Sequence, residues 1–244
     1  KKNFFNIDEF FFKKNKQAKF IDYSNLNNNY KNENQLIKFL KKNFLYTFHD
    51  GKIKSINESN YYILKKLKLL LNKNGKKLNI VEFGGGIGQK YLEFVKLFNE
   101  KEINWSIVEP KKKKNLLPNK KNYFFNFNEH TIKLPQNKTN ILIISSYLQY
   151  LKDPYEFIRK MCRLSNVDYL IIENIPLTQK PEQRLLKRHD LDKKKYYSYF
   201  LFNQKKFIKS LSYKFKLKEK INLKKMENYR KNYSFKFYDL FLSK

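Results

Sequence analysis

The chain has 244 residues, 41% of them apolar, and a formal net charge of +31. That apolar content suffices for one substantial core and excludes a disordered chain. Runs such as Ile141–Ile144 and Leu69–Leu71 are far too short to span a bilayer, and a single cysteine, Cys162, excludes an internal disulfide and is compatible with a reducing cytoplasm.

The first residue is Lys rather than Met, and no stretch reads as a secretory signal. Asn25–Asn34 is polar and loop-like. Gln35–Phe48 and Ser59–Leu71 place apolar residues at helical spacing, for example Leu64, Leu67 and Leu71, with Asn57 or Ser59 as the N-cap of the second helix. Asn72–Lys77 is a break, with Gly75 suited to a helix C-terminus.

From Leu78 onward short apolar runs alternate with helical patterns. Strands are expected at Leu78–Phe83, Asn104–Glu109, Asn122–Phe127, Thr139–Ser145 and Asp168–Glu173. Helices are expected at Ile87–Phe98, Pro154–Leu164 and Asn203–Leu211. Asp153 reads as an N-cap, with Pro154 in the first turn. Cys162 falls on the apolar face of its helix and reads as a small hydrophobe rather than a nucleophile. Tyr213–Leu223 and Tyr233–Leu242 alternate apolar and polar residues, which predicts a terminal antiparallel pair. Five strand–helix units followed by that pair predict an α/β protein with a doubly wound, mostly parallel, seven-stranded sheet.

The charge invites a polyanion partner, but composition offers a duller source. There are 48 Lys against 5 Arg, 30 Asn and a single alanine, Ala18. Residues with AT-rich codons are favoured throughout, so drift toward AT would produce this charge unaided. A phosphate-reading surface would also retain arginine, whose planar fork binds phosphate bidentately. A nucleic-acid partner is therefore not favoured.

Four of the six glycines, Gly84, Gly85, Gly86 and Gly88, lie in VEFGGGIGQKYLEF, where a strand ends and a helix opens. A turn there lets a ligand approach the backbone where a Cβ would stand in the way. The spacing Glu82-x-Gly84-x-Gly86-x-Gly88 is neither G-x-G-x-x-G nor a P-loop, and a carboxylate before the turn suits a cationic amino group better than a pyrophosphate. The next strand ends in Glu109, a carboxylate placed to accept hydrogen bonds from two ribose hydroxyls.

Together these residues resemble the class I S-adenosylmethionine-dependent methyltransferases, over roughly Leu78 to Lys244. The resemblance implies a Rossmann-like domain at 78–244 with an antiparallel final strand, and an N-terminal helical extension at 1–77 that covers the pocket. It implies S-adenosylmethionine as cofactor, with Glu82 and Gly84, Gly85, Gly86 and Gly88 around its amino acid end and Glu109 on its ribose. Asn126 or Asn128, after the third strand, is a candidate for the adenine edge. Ser145, Tyr147 and Gln149, after the fourth strand, would line the methyl-donor side. The segments SSYLQYLKDPYEFI, YLIIENIPL and YYSYFLFNQKKF are further similar to a branch of methyltransferases associated with bacterial surface-polysaccharide and lipopolysaccharide genes. That branch's Tyr-Pro-x-Trp segment corresponds here to Tyr197–Phe200, which lacks both Pro and Trp.

Each candidate has a plainer reading. The glycines could serve a structural turn, Glu82 could cap the following helix, Glu109 could be a solvated strand end, and Ser145 could satisfy a backbone group. If the acceptor is a sugar hydroxyl, a general base helps. The candidates are Glu173 at the end of the fifth strand, His189 beside Asp190, and Tyr197; an exposed loop histidine is the plainer reading of His189. No metal-ligand spacing is present. The expected function is methyl transfer to a small polar or glycan-type acceptor. The rival readings are an RNA methyltransferase using the lysine-rich surface and a non-catalytic binding protein of the same fold.

Overall fold

The computed structural model describes residues 48–49, 52–53, 58–74, 77–85, 88, 90–91, 93–94, 103–108, 123–125, 134–188, 196–229 and 233–244. A short antiparallel pair, β1 (Phe48–His49) and β2 (Lys52–Ile53), precedes α1 (Glu58–Asn74). The expected helix at Gln35–Phe48 lies outside the described residues except for Phe48, which is in a strand. Helix α1 runs through Asn74, into the expected break at Asn72–Lys77.

The sheet follows. Its strands are β3 (Leu78–Phe83), β4 (Ile103–Val108), β5 (Tyr123–Phe125), β6 (Thr139–Ser145), β7 (Tyr169–Thr178), β8 (Gln183–Arg188), β9 (Tyr196–Asn203), β10 (Lys216–Tyr229) and β11 (Tyr233–Ser243). Two helices sit between them, α2 (Pro154–Arg163) and α3 (Gln204–Leu211). Both are capped at the N-terminus: Glu156 N–H donates to the carboxylate of Asp153, the expected cap, at 2.9 Å, and Lys206 N–H donates at 3.0 Å to Asn203, which was expected as the first residue of the helix.

Seven strands lie on one path, β10-β11-β7-β6-β3-β4-β5, parallel from β7 to β5 and antiparallel at β11 and β10. The expected α/β class, mostly parallel sheet and antiparallel close are all present. Among the described residues the seven expected strands make up this path, and two further strands, β8 and β9, join the sheet off it. β8 and β9 form a hairpin attached through β7, where Leu177 and Thr178 pair with Phe202 and Asn203. Its aromatic-rich second strand lacks a clean alternation with polar residues, so its period is hard to recognise from sequence.

The fifth expected strand, ending at Glu173, runs on to Thr178 as β7. Asn174 and Pro176 are strand-breaking types, yet the ladder survives by a bulge. Ile172 pairs with Leu240 and Ile175 with Tyr238, so Glu173 and Asn174 together face Asp239 alone. Asn174 takes the left-handed conformation (φ 52°), and its N–H donates to the Asp239 carboxylate at 2.8 Å.

Two apolar layers explain the unbroken apolar strands. One face of the sheet (Val81, Phe83, Leu142, Ile144, Leu170, Ile172) packs on Phe157, Ile158 and Met161 of α2 and Phe207 and Leu211 of α3. The other face (Leu78, Ile80, Ile141, Ile143, Ile171) packs on Ile63, Leu64, Leu67 and Leu70 of α1 and on Tyr91 and Phe94. Each such side chain contributes about 1.5–3 kcal/mol on full burial. Within the 1–77 extension, α1 thus shares the core of the sheet. Edge strand β10 carries exposed Lys216, Lys218 and Lys220, charges that discourage edge-to-edge pairing. Among the described residues no helix is long and apolar enough to cross a membrane.

Candidate functional site

Strand periodicity places polar groups at one end of the second layer. On that face β3 reads Leu78, Ile80, Glu82; β6 reads Ile141, Ile143, Ser145; β7 reads Tyr169, Ile171, Glu173. At the ends of β3 and β6, and at the bulge of β7, the inward position where the core should continue is polar. All three side chains are buried, Glu82 fully so and Glu173 at 4% exposure. Ser145 and Glu173 are paired in register across β6 and β7.

These groups form one network. Glu82 accepts hydrogen bonds from the indole N–H of Trp105 at 2.9 Å and from Lys90 Nζ at 3.0 Å. Lys90 Nζ lies 3.0 Å from Glu173 Oε2 and donates to Ser145 Oγ at 3.0 Å. The Ser145 hydroxyl is within reach of both carboxylates, closely at Glu173 and at 3.2 Å from Glu82. Its single proton serves one of them at a time. One ammonium therefore bridges two buried carboxylates, with a third, Asp239, also buried at 3% exposure, across the bulge.

Burial alone would push the Lys90 ammonium down, but the carboxylates of Glu173 and Glu82 outweigh it and hold the pKa well above the usual lysine value. Burial pushes the Glu173 carboxyl up; Lys90 and the Ser145 hydroxyl oppose the shift, while Glu82 and Asp239 reinforce it. A carboxyl whose pKa is raised on folding binds more protons folded than unfolded in the window above its ordinary value of 4.5. Its contribution thus lowers stability as pH rises through that window. Glu173→Gln is expected to flatten this decline, read as denaturation midpoints between about pH 4 and pH 8. A variant whose pH profile overlays the wild type would remove Glu173 as the source.

The glycine turn closes over this network. Gly84 has φ 75°, and its N–H donates to the Val108 carbonyl at 3.2 Å. A Cβ on Gly84 would lie 2.5 Å from the Ser145 carbonyl oxygen and 3.2 Å from Tyr147. A Cβ on Gly85 would lie 2.7 Å from the Glu82 carboxyl carbon. Gly88 has φ 79° and its N–H donates to the Gly85 carbonyl at 3.0 Å. The turn spans the point where the sheet order reverses: β4 and β5 lie to one side of β3, β6 and β7 to the other. In open α/β sheets that crevice is where ligands bind. A polar depression of about 390 Å³, lined by Lys138, Asn140, Asp168 and Lys244 among others, lies at the opposite end of β6 and β7. It faces the N-terminal strand ends, away from the crevice.

The expected site residues divide accordingly. Glu82, Ser145 and Glu173 come together with Gly84 and Gly85. Tyr147 is buried and packs its ring against Phe83 and Phe157, so it roofs the turn from the core side. Gln149 is 1% exposed; its Nε2 donates to the Asn174 carbonyl at 3.5 Å, while its Oε1 has no hydrogen-bond partner among the described residues. Gly86, Glu109, Asn126 and His189 lie outside the described residues. Tyr197 pairs with Lys187 in the β8–β9 hairpin, and only its backbone is described. Of the aromatic segment around it, Tyr199 is core, with its ring 5.6 Å from that of Tyr150 and 6.2 Å from that of Phe235. Among the described residues no group of three His, Cys, Asp or Glu is placed to hold a metal ion.

Lys90, Trp105 and Asp239 are absent from the sequence-derived set. Trp105 is the chain's one tryptophan and sits on the strand beside Glu82, a signal that could have been used. Lys90 carries no such mark in a chain so rich in lysine.

No protein-family model matches the chain, and no curated protein matches it. Among solved structures it is similar to the N-terminal domain of EvdMO1, crystallised in the presence of SAH and D-fucose. That match has 7% identity and a TM-score of 0.46, covering 86% of this chain and 95% of that one. It is similar to coclaurine N-methyltransferase bound to N-methylheliamine and SAH, at 10% identity and a TM-score of 0.47 over 78% of this chain and 72% of that one. It is also similar to a SAM dependent methyltransferase from Aquifex aeolicus, at 16% identity and a TM-score of 0.43 over 86% of this chain and 98% of that one. These are likenesses of fold at low sequence identity.

Proposed function

We propose that the protein is an S-adenosylmethionine-dependent methyltransferase acting on a small polar or glycan-type acceptor, in a cytoplasmic step of surface-polysaccharide synthesis. The observation that carries this reading is the glycine turn at the sheet's reversal point, drawn tight over a buried carboxylate. Gly84 and Gly85 have no room for a Cβ, and Glu82 beneath them is an anion suited to an ammonium. The donor set fits the amino acid end of the cofactor. Glu109, next in the chain after β4, would accept the ribose hydroxyls, and Asn126, next after β5, would meet the adenine edge. Ser145, Tyr147 and Gln149 would line the methyl-donor side, and residues N-terminal to α1 would cover the pocket.

When bound, the cofactor supplies a methyl group already activated on a sulfonium. The protein's task is then to orient the acceptor and exclude water. Of the three candidates for the proton-accepting group, Glu173 lies in the network below the turn, and its raised pKa suits a general base. His189 and Tyr197 belong to the hairpin and its connection, where an acceptor would enter.

The test is calorimetric titration of S-adenosylmethionine and S-adenosylhomocysteine into wild type and Glu109→Ala. Saturable binding is expected, weaker by about tenfold or more in the variant, the equivalent of roughly 1.4 kcal/mol. A folded wild type that binds neither compound would overturn the enzyme reading and favour a non-catalytic role.

A further inference from the structure

The carboxylate best placed for the ligand's ammonium already has an ammonium on it. Glu82 is fully buried, and among the described residues its carboxylate is met by three internal groups, Trp105, Lys90 and Ser145. Lys90 comes from the helical residues just after the turn, and its side chain is 12% exposed, against 5% for that of Glu173 and none for that of Glu82. The lysine also has a second partner, Glu173, at the same 3.0 Å distance.

We propose that Lys90 is an internal competitor for the ligand's ammonium: it holds Glu82 until the ligand arrives, then cedes Glu82 and keeps Glu173 and Ser145. The inference rests on the proposed function, because that reading supplies a ligand with an α-amino group. Charge supports it. Among the described residues the Glu82–Lys90–Glu173 group, with both carboxylates ionised, is one positive charge short. The group thus takes a cation rather than an anion. Two cations sharing Glu82 repel each other, so Lys90 and the ligand's ammonium must be antagonistic. The consequence is a specificity device: the amino group of the ligand adds little net affinity while Lys90 is present, because its gain is offset by the contact it displaces. Affinity would then come chiefly from the nucleoside end.

The test is a double-mutant cycle between Lys90 and the ligand's amino group. S-adenosylhomocysteine and its analogue with hydrogen in place of the α-amino group are titrated into wild type, Lys90→Met and Lys90→Gln. Gln keeps an uncharged N–H donor on a slightly shorter side chain, so it serves if the Met variant does not fold. The amino group is expected to improve binding by less than about threefold in wild type and by about tenfold or more in the variants. An amino-group contribution as large in wild type as in the variants would overturn the proposal, as would weaker binding of both compounds by the variants, which would make Lys90 a ligand contact.

A second readout needs no variant. Trp105, the single tryptophan, donates to Glu82, so its emission should change with S-adenosylhomocysteine and not with the deaminated analogue. Identical changes with both would sink the competition. A folded wild type that binds neither compound removes the methyltransferase reading and this inference with it. Binding of both without antagonism removes the inference alone.

Discussion

Gly84→Ala is expected to destabilise the protein by about 2–5 kcal/mol, from two separable causes. The left-handed backbone at φ 75° costs a residue with a Cβ roughly 1–2 kcal/mol. The new methyl would lie 2.5 Å from the Ser145 carbonyl oxygen. That atom is backbone at the end of a buried strand, so relief requires moving β6 against β3, an overpacking cost of about 1–3 kcal/mol. Gly85→Ala separates the causes. Gly85 is not among the positive-φ glycines, and its Cβ would meet a side chain, the Glu82 carboxyl, at 2.7 Å. A side-chain end yields more cheaply than backbone, so the variant should lose less stability, but moving the carboxyl that accepts from the Trp105 indole should shift the emission of Trp105. Urea unfolding of the two variants checks both points. A wild-type midpoint for Gly84→Ala would show that the turn does not cross β6 as described.

Glu82→Ala should cost about 3–5 kcal/mol, the range for removing one partner of a buried ion pair. The loss leaves the Trp105 indole N–H buried without its acceptor and leaves Lys90 with Glu173 as its remaining carboxylate. Against a total stability of about 5–15 kcal/mol, such a variant sits near its unfolding threshold. Glu82→Gln keeps an acceptor for Trp105 but presents an uncharged amide to Lys90, so its cost should fall between wild type and alanine. The control is Glu156→Ala, which breaks the exposed pair with Arg159 on α2; pairs of that kind contribute up to about 1 kcal/mol. Denaturant titrations followed by the single tryptophan rank the three variants. If Glu82→Ala were no more costly than Glu156→Ala, the buried network would contribute nothing to stability.

These expectations show where sequence reading reaches and where it stops. β6 is found with its bounds unchanged and β3 likewise, because a run of apolar residues between polar ones is a local property of the chain. α2 and α3 are bounded by their caps, Asp153 and Asn203, which act within three residues. β7 overruns its expected end because the bulge at Asn174 depends on Asp239, 65 residues away. The β8–β9 hairpin was missed for a related reason. Its aromatic residues are explained by neighbours such as Tyr150, Tyr155 and Phe235, which are distant in sequence.

The site follows the same division. Glu82, Ser145 and Glu173 were each legible in the sequence, but as members of three different roles: cofactor carboxylate, methyl-side hydroxyl and general base. The tertiary structure joins them into one charge network. By itself the sequence determined the α/β alternation, the positions of the central strands β3 and β6 and a turn that only glycine can make, because backbone geometry and apolar period are set by near neighbours. Only the tertiary structure decided that Lys90, in a chain of 48 lysines, bridges Glu82 and Glu173. Ion pairing acts through space, and the parallel sheet sets residues 82, 145 and 173 side by side under one ammonium.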